Sequence, residues 1–245
     1  MTCTNCANTT AGNYCERCGQ QTTLGRLTVG KLVKEAFFSV VQVDRGFLFT
    51  ARELSLRPGK TVRAYAAGKR VAHYPPHKYL FVVGAAATYL TTRYHFFFSG
   101  YQPVTAFGRE TNALLGVFFQ YADAYTTLVN VVSIPVFALF SFLLFRPGAF
   151  NYAENLVLNA YVTSQQMLLF VGVVPVVVSF PAHRGPLLGF YAGLTLLYNG
   201  WAYLQFFQAR LPNGLFRSAA AMGLAYLVQF ALNLSFFYVN QSFLR

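Results

Sequence analysis

Four cysteines fall within the first 18 residues as Cys3-x-x-Cys6 and Cys15-x-x-Cys18, and the chain has no other cysteine. A CxxC loop turns two sulfurs to one side, and two such loops complete a tetrahedral S4 site of the kind that binds zinc. Because protein fills every ligand position, no place is left for a catalytic water, and the expected Zn2+ is structural. Redox-dithiol and iron–sulfur readings are weaker, since a thioredoxin-type site is a single CxxC beside a βαβ pattern. Paired CxxC motifs also favour a reducing compartment, where thiolates hold metal and do not oxidise to disulfides. Met1 is followed by polar residues and not by an apolar leader, which places the N-terminus in the cytosol.

Other chemistry is sparse. Glu154 either marks an intramembrane carboxylate site or, as the better reading, closes a capping box with Asn151 at a helix start. His73, His77, His95 and His183 have no HxxxH or HExxH spacing and read as membrane-edge residues. An acid–base pair of Glu154 with His73 or His77 is the one catalytic arrangement the chain suggests, so it is not expected to be an enzyme. Gly59-Lys60-Thr61 imitates the end of a phosphate-binding loop, but Leu54 stands where that loop needs glycine and no buried strand precedes it.

The elements that must carry these residues follow from composition. Of 245 residues, 55% are hydrophobic, 18% aromatic and only 11% charged, which is not the balance of a soluble domain. An all-α integral membrane protein is expected. Residues 1–20 form a zinc ribbon too short for a hydrophobic core, so metal would supply the folding free energy. Gly19 allows the tight turn after Cys18, and Gln20-Gln21-Thr22-Thr23 reads as a linker to a ribbon at the tip of a cytosolic arm.

Residues 24–78 read as a basic, amphipathic, juxtamembrane helical segment. Apolar residues from Val29 to Val41 recur at helical spacing. Asp44 is a suitable N-cap for a helix over Phe47–Leu56, and a third short helix runs from Thr61 to Ala67. Five spans of about 20 apolar residues are expected near 79–98, 127–145, 156–180, 187–208 and 219–239. Residues 111–122 are apolar over too short a stretch to span, so an interfacial or re-entrant helix is expected there; a helix fused from 111 to 145 is the alternative.

The formal charge of +12 is concentrated in residues 1–78, which hold 12 of the 19 Lys and Arg. With that segment inside, the positive-inside rule orients the chain N-in and C-out. The cations Arg45, Arg52, Arg57, Lys60, Arg63, Lys69 and Arg70 fit an anionic lipid surface or a protein partner, and nucleic acid is the weaker reading. Within the spans the polar groups are mostly amides. Gln165, Asn199, Gln229 and Asn233, with Glu154, are either interhelical hydrogen-bonding groups or the lining of a solute path. Gln229 and Asn233 share a helix face.

Cys3-x-x-Cys6…Tyr14-Cys15-x-x-Cys18-Gly19-Gln20, then Asp44-Arg-Gly-Phe47…Thr50-x-x-Glu53-Leu54…Arg57-Pro-Gly-Lys60-Thr61…Tyr65…Gly68-Lys-Arg70, resembles a family of uncharacterised bacterial integral membrane proteins catalogued as a domain of unknown function. The resemblance implies an N-terminal zinc ribbon, several C-terminal spans and a bacterial inner-membrane setting, and it implies no activity. Asn151-Tyr152-Ala-Glu154 matches a recurrent aromatic–Glu element of that family; His often follows the Glu there, and this chain has Asn155. Two functions are therefore expected of such a chain: a membrane interaction or accessory protein, or, as the alternative, a small channel or transporter with an amide-lined interior.

Overall fold

The computed structural model describes residues 1–22, 25–38, 45–94, 109–145 and 150–243. Helices account for nearly all of its regular structure: α1 Val29–Phe38, α2 Arg45–Leu56, α3 Pro58–Ala66, α4 Pro76–Tyr94, α5 Arg109–Leu144, α6 Tyr152–Ser179, α7 Arg184–Phe207 and α8 Asn213–Phe243. Three apolar stretches are long enough to cross a bilayer: Ala124–Leu144 in α5, Tyr152–Ser179, and Asn213–Ser235 in α8. The proposed spans at 79–98 and 187–208 coincide with α4 and α7, although residues 95–98 and the proposed cap Asp44 lie outside the described residues.

Helix α6 is the axis of the bundle. It packs against α4, α5 and α7, while α8 closes the ring between α5 and α7. Its buried residues Val157, Leu158, Tyr161, Val162, Phe170, Val174 and Val177 occur around the whole helix, as expected for an element enclosed by others. The outer faces of α5 and α8 leave Leu128, Val132, Leu227 and Phe230 exposed, an apolar surface compatible with lipid.

Two of the expected boundaries change. Residues 111–122 do not form a separate interfacial helix: α5 runs unbroken for 36 residues from Arg109 to Leu144. Length sufficient to span was the wrong criterion, because a helix continues past the bilayer wherever a neighbour supports it. Here α8 does so, with Phe237 edge-on to Phe118 and Tyr121. The third short helix starts at Pro58 and not Thr61, with proline in the first turn, where its missing N–H costs nothing.

Polar side chains connect the helices across the bundle. Asn155 accepts from Ser141 at 2.9 Å, Asn159 donates to the same hydroxyl at 3.1 Å, and Tyr203 donates to Asn159 at 2.6 Å. All four are at least 98% buried, so the network links α5, α6 and α7 where water cannot substitute. Asn155 is a structural member of this network.

The candidate metal centre and its dock

The first 22 residues are two copies of one turn offset by 12 positions. In the first copy Cys3 N–H donates to Asn8 O and Ala7 N–H to Cys3 O; in the second, Cys15 N–H donates to Gln20 O and Gly19 N–H to Cys15 O. Antiparallel bridges Thr2–Thr9 and Tyr14–Gln21 close each copy. Each turn needs a left-handed residue after its second cysteine, and these are Ala7 at φ 58° and Gly19 at φ 72°. Glycine adopts that conformation freely, whereas alanine tolerates it at a cost of about 1 kcal/mol.

The four Sγ atoms all lie within 4.8 Å of one another, with Cys3–Cys18 at 3.6 Å and Cys6–Cys15 at 3.5 Å. A disulfide requires about 2.05 Å, and the cysteines are free thiols. A tetrahedron with zinc–sulfur bonds of about 2.3 Å has edges near 3.8 Å, so the cluster has the size of a metal-thiolate site. Its electrostatics also call for a cation. The backbone N–H of Cys18 pulls the Cys15 thiol down to about 6, and those of Cys6 and Asn5 lower Cys3. At Cys6 the Asn8 N–H acts the same way, but desolvation and the other three sulfurs outweigh it and push the thiol up to about 12. Four thiolates therefore require a bound positive charge to coexist.

The ribbon is not the tip of a free arm, and Gln20 is not part of a linker. Gln20 is 3% exposed. Its Nε2 donates to Thr4 Oγ1 at 2.7 Å and to the Gly68 carbonyl at 2.6 Å, while its Oε1 accepts from the N–H groups of Arg70 at 3.2 Å and Val71 at 3.4 Å. One amide side chain, fully satisfied, thus fastens the second knuckle to the turn between α3 and α4. That turn is shaped to receive it. Helix α3 ends in a Schellman motif, with Lys69 N–H on Ala64 O and Gly68 N–H on Tyr65 O, and Gly68 takes φ 109°. The left-handed turn leaves the Gly68 carbonyl pointing away from the helix and available to Gln20.

A second attachment follows directly in the chain. Arg26 makes a bidentate ion pair with Glu154, Nε to Oε1 and Nη2 to Oε2, both at 3.0 Å. Leu27, 1% exposed, packs into the core, and its carbonyl accepts from Asn151 Nδ2 at 3.0 Å. The expected capping box is present, with Asn151 Oδ1 accepting from Glu154 N–H and Glu154 Oε2 accepting from Asn151 N–H. Glu154 therefore serves as both cap and anchor. His73 lies elsewhere, hydrogen-bonded to Lys69 O and edge-on to Phe49 and Tyr65. Burial depresses its pKa.

The basic series divides. Arg57 is paired with Glu53 through two contacts of 3.0 Å; Arg63 donates to Phe206 O and covers the Phe150 ring; Arg70 covers Tyr65 and reaches Gly25 O. Arg63 and Arg70 thus tie segments of the fold together, whereas Arg57, although paired within its own corner, keeps its side chain 58% exposed. Arg52, Lys60 and Lys69 are exposed, while the side chain of Arg45 lies outside the description. The amides divide too. Gln165 accepts from Tyr79 and donates to Ser55 at 2.8 Å, joining α2, α4 and α6. Gln229 donates to Asn130 across α5 and α8 at 2.8 Å, whereas Asn233 bonds back to its own helix at Gln229 O. Asn199, 4% exposed, meets Tyr226 of α8.

The Gly59-Lys60-Thr61 run is a helix crossing. A Cβ at Gly59 would overlap the Ala202 carbonyl and the Phe206 amide of α7, so only glycine lets α3 approach this closely. Thr61 folds its hydroxyl onto Glu53 O and Arg57 O, bracing the α2–α3 corner. Leu54 O accepts from Tyr198, and Thr50 Oγ1 accepts from Tyr74 N–H. Within the Thr50…Gly68 pattern, Leu54, Gly59, Lys60 and Tyr65 seat α2 and α3 on α6 and α7, while Thr50, Glu53, Arg57 and Thr61 brace the corner and its neighbouring turn.

Residues 44–88 match the model of a family described as "Protein of unknown function (DUF3667)". No curated protein and no solved structure matches the chain. The matched stretch covers α2, α3 and the first two-thirds of α4, and it contains both the receiving turn at Gly68 and the Gly59 crossing. It is the piece that joins ribbon to bundle.

Proposed function

We propose that this chain is a multi-pass membrane accessory protein whose zinc-filled ribbon forms a rigid cytosolic cap, built to present its outer face to a protein partner. The saturated S4 cluster, fastened to the bundle through Gln20, is the observation that carries this reading. A closed site performs no chemistry at the metal, and a ribbon pinned at one face keeps the other in fixed orientation. Tyr14, beside Cys15, is 63% exposed.

The membrane setting is proposed as five spans, α4 to α8, with the N-terminus in the cytosol of a bacterial inner-membrane protein. Helix α4 at 19 residues and α7 at 24 are about 28 and 36 Å long, enough to join the three more apolar helices. The basic excess before residue 79 supports N-in. No catalytic role is proposed, since Glu154 and His73 are occupied with separate structural partners.

Copurification from membranes, with metal analysis, tests the reading. One zinc per chain and a partner that is lost in Cys15→Ser but kept in Arg52→Gln would support it; the same partners in wild type and Cys15→Ser would refute it.

A further inference from the structure

Between the end of α2 and the facing sides of α6 and α7 lies a cavity of about 380 Å³, lined by Ser55, Gln165, Leu169, Leu194, Tyr198 and Trp201. Leu197 also borders it and is 75% exposed, so the cavity opens sideways, away from the bundle axis. Its walls are apolar, and Ser55 and Gln165, hydrogen-bonded to each other, form one polar end. That end lies under the α2–α3 corner, where cations collect. Arg52 stands one turn before Ser55 on the same face of α2. The Lys60 backbone N–H reaches Gln205, one turn beyond Trp201 on α7. Glu53 neutralises Arg57. Neither Arg52 nor Lys60 has a carboxylate partner among the described residues, and both are exposed.

We propose that this groove holds one anionic phospholipid, its acyl chain against Leu194, Leu197 and Trp201 and its phosphate facing Arg52 and Lys60. An apolar slot that opens toward the bilayer is filled by lipid chain, and two exposed cations near its polar end, with no carboxylate partner among the described residues, select the charge of the headgroup. A soluble phosphate would gain the charge contact but leave the slot unfilled. The proposal rests on α7 lying in the bilayer, as proposed above.

Trp201 is the only tryptophan of the chain, so its fluorescence reports this groove alone. The full-length protein is reconstituted in vesicles containing phospholipid brominated on the acyl chain, with either a phosphatidylglycerol or a phosphatidylcholine headgroup. The anionic lipid is expected to reach half-maximal quenching at about tenfold lower mole fraction than the zwitterionic one. The Arg52→Gln/Lys60→Gln variant is expected to abolish that preference and to keep the phosphatidylcholine response, which shows that it remains folded and inserted. Equal quenching by both lipids, or a preference unchanged in the variant, overturns the site and leaves the membrane placement standing. Quenching by neither lipid overturns the placement of α7 and the site with it. Soluble glycerol 3-phosphate is expected to leave the preference intact; competition by it would assign the cations to a free phosphate and refute the lipid.

Discussion

Gln20 shows how one side chain outside the four cysteines decides how their cluster is held against the rest of the fold. Its four hydrogen bonds are buried or partly buried, and removing the amide strips the partner from the Arg70 and Val71 N–H groups and leaves the Gly68 carbonyl only the Thr4 hydroxyl at 3.5 Å, at a cost of about 1–3 kcal/mol. Gln20→Ala is therefore expected to release the ribbon while leaving its metal content unchanged, read as faster limited proteolysis near residues 22–28 with zinc still bound. The sequence marks Gln20 as a polar residue after a knuckle, which is why it reads as a linker. Its partners on the α3–α4 turn are about 50 residues away, and local patterning carries no trace of them. By contrast, the cysteines were legible because CxxC geometry is local.

His73 provides a second residue-scale test. Burial lowers its pKa below the free value of 6.5, so between the two values the unfolded chain binds a proton that the folded chain does not. Its contribution to stability is complete above pH 6.5 and is lost as pH falls through the folded-state value. Thermal stability in detergent is expected to fall on acidification below about pH 6.5, and His73→Gln is expected to flatten that part of the profile. An unaltered slope in the variant would assign the pH dependence to other groups.

At the level of elements, the close crossing of α3 over α7 depends on Gly59. Overpacking a close crossing costs roughly 1–3 kcal/mol, and the obstacles here are backbone atoms that cannot rotate aside, so Gly59→Ala is expected at or beyond the upper end. Denaturation followed by tyrosine and tryptophan fluorescence would measure it. A neutral Gly59→Ala would mean that α3 does not seat on α7 in this way. The start of α6 supports an ordering. Glu154→Gln keeps an acceptor for the Asn151 N–H and loses the charge opposite Arg26, whereas Glu154→Ala loses both. Melting temperatures should rank wild type, then Glu154→Gln, then Glu154→Ala. The capping box could be read from Asn151 and Glu154, three residues apart; the anchor could not, because Arg26 lies 128 positions away. The continuous α5 was legible only as the alternative, a helix fused from 111 to 145. Hydropathy registers how much helix lipid can cover, and says nothing about how far a helix extends once α8 supports it.

For the molecule as a whole, the stretch that includes α2, α3 and the turn at Gly68 joins the four-cysteine segment to the helix bundle. Ribbon, joint and bundle are linked by Gln20 on the α3–α4 turn, by Arg26 and Leu27 on α6, and by Gly59 on α7. The central claim is that metal in the ribbon keeps this assembly closed. Hydrogen–deuterium exchange of the segment 68–74, measured on the full-length protein before and after zinc is removed with a chelator, tests it most directly. The account predicts that the Arg70 and Val71 amides, protected by Gln20 in the zinc-bound protein, exchange much faster once the knuckle unfolds, while α6 stays protected. Unchanged protection at those two amides after complete loss of metal would contradict it.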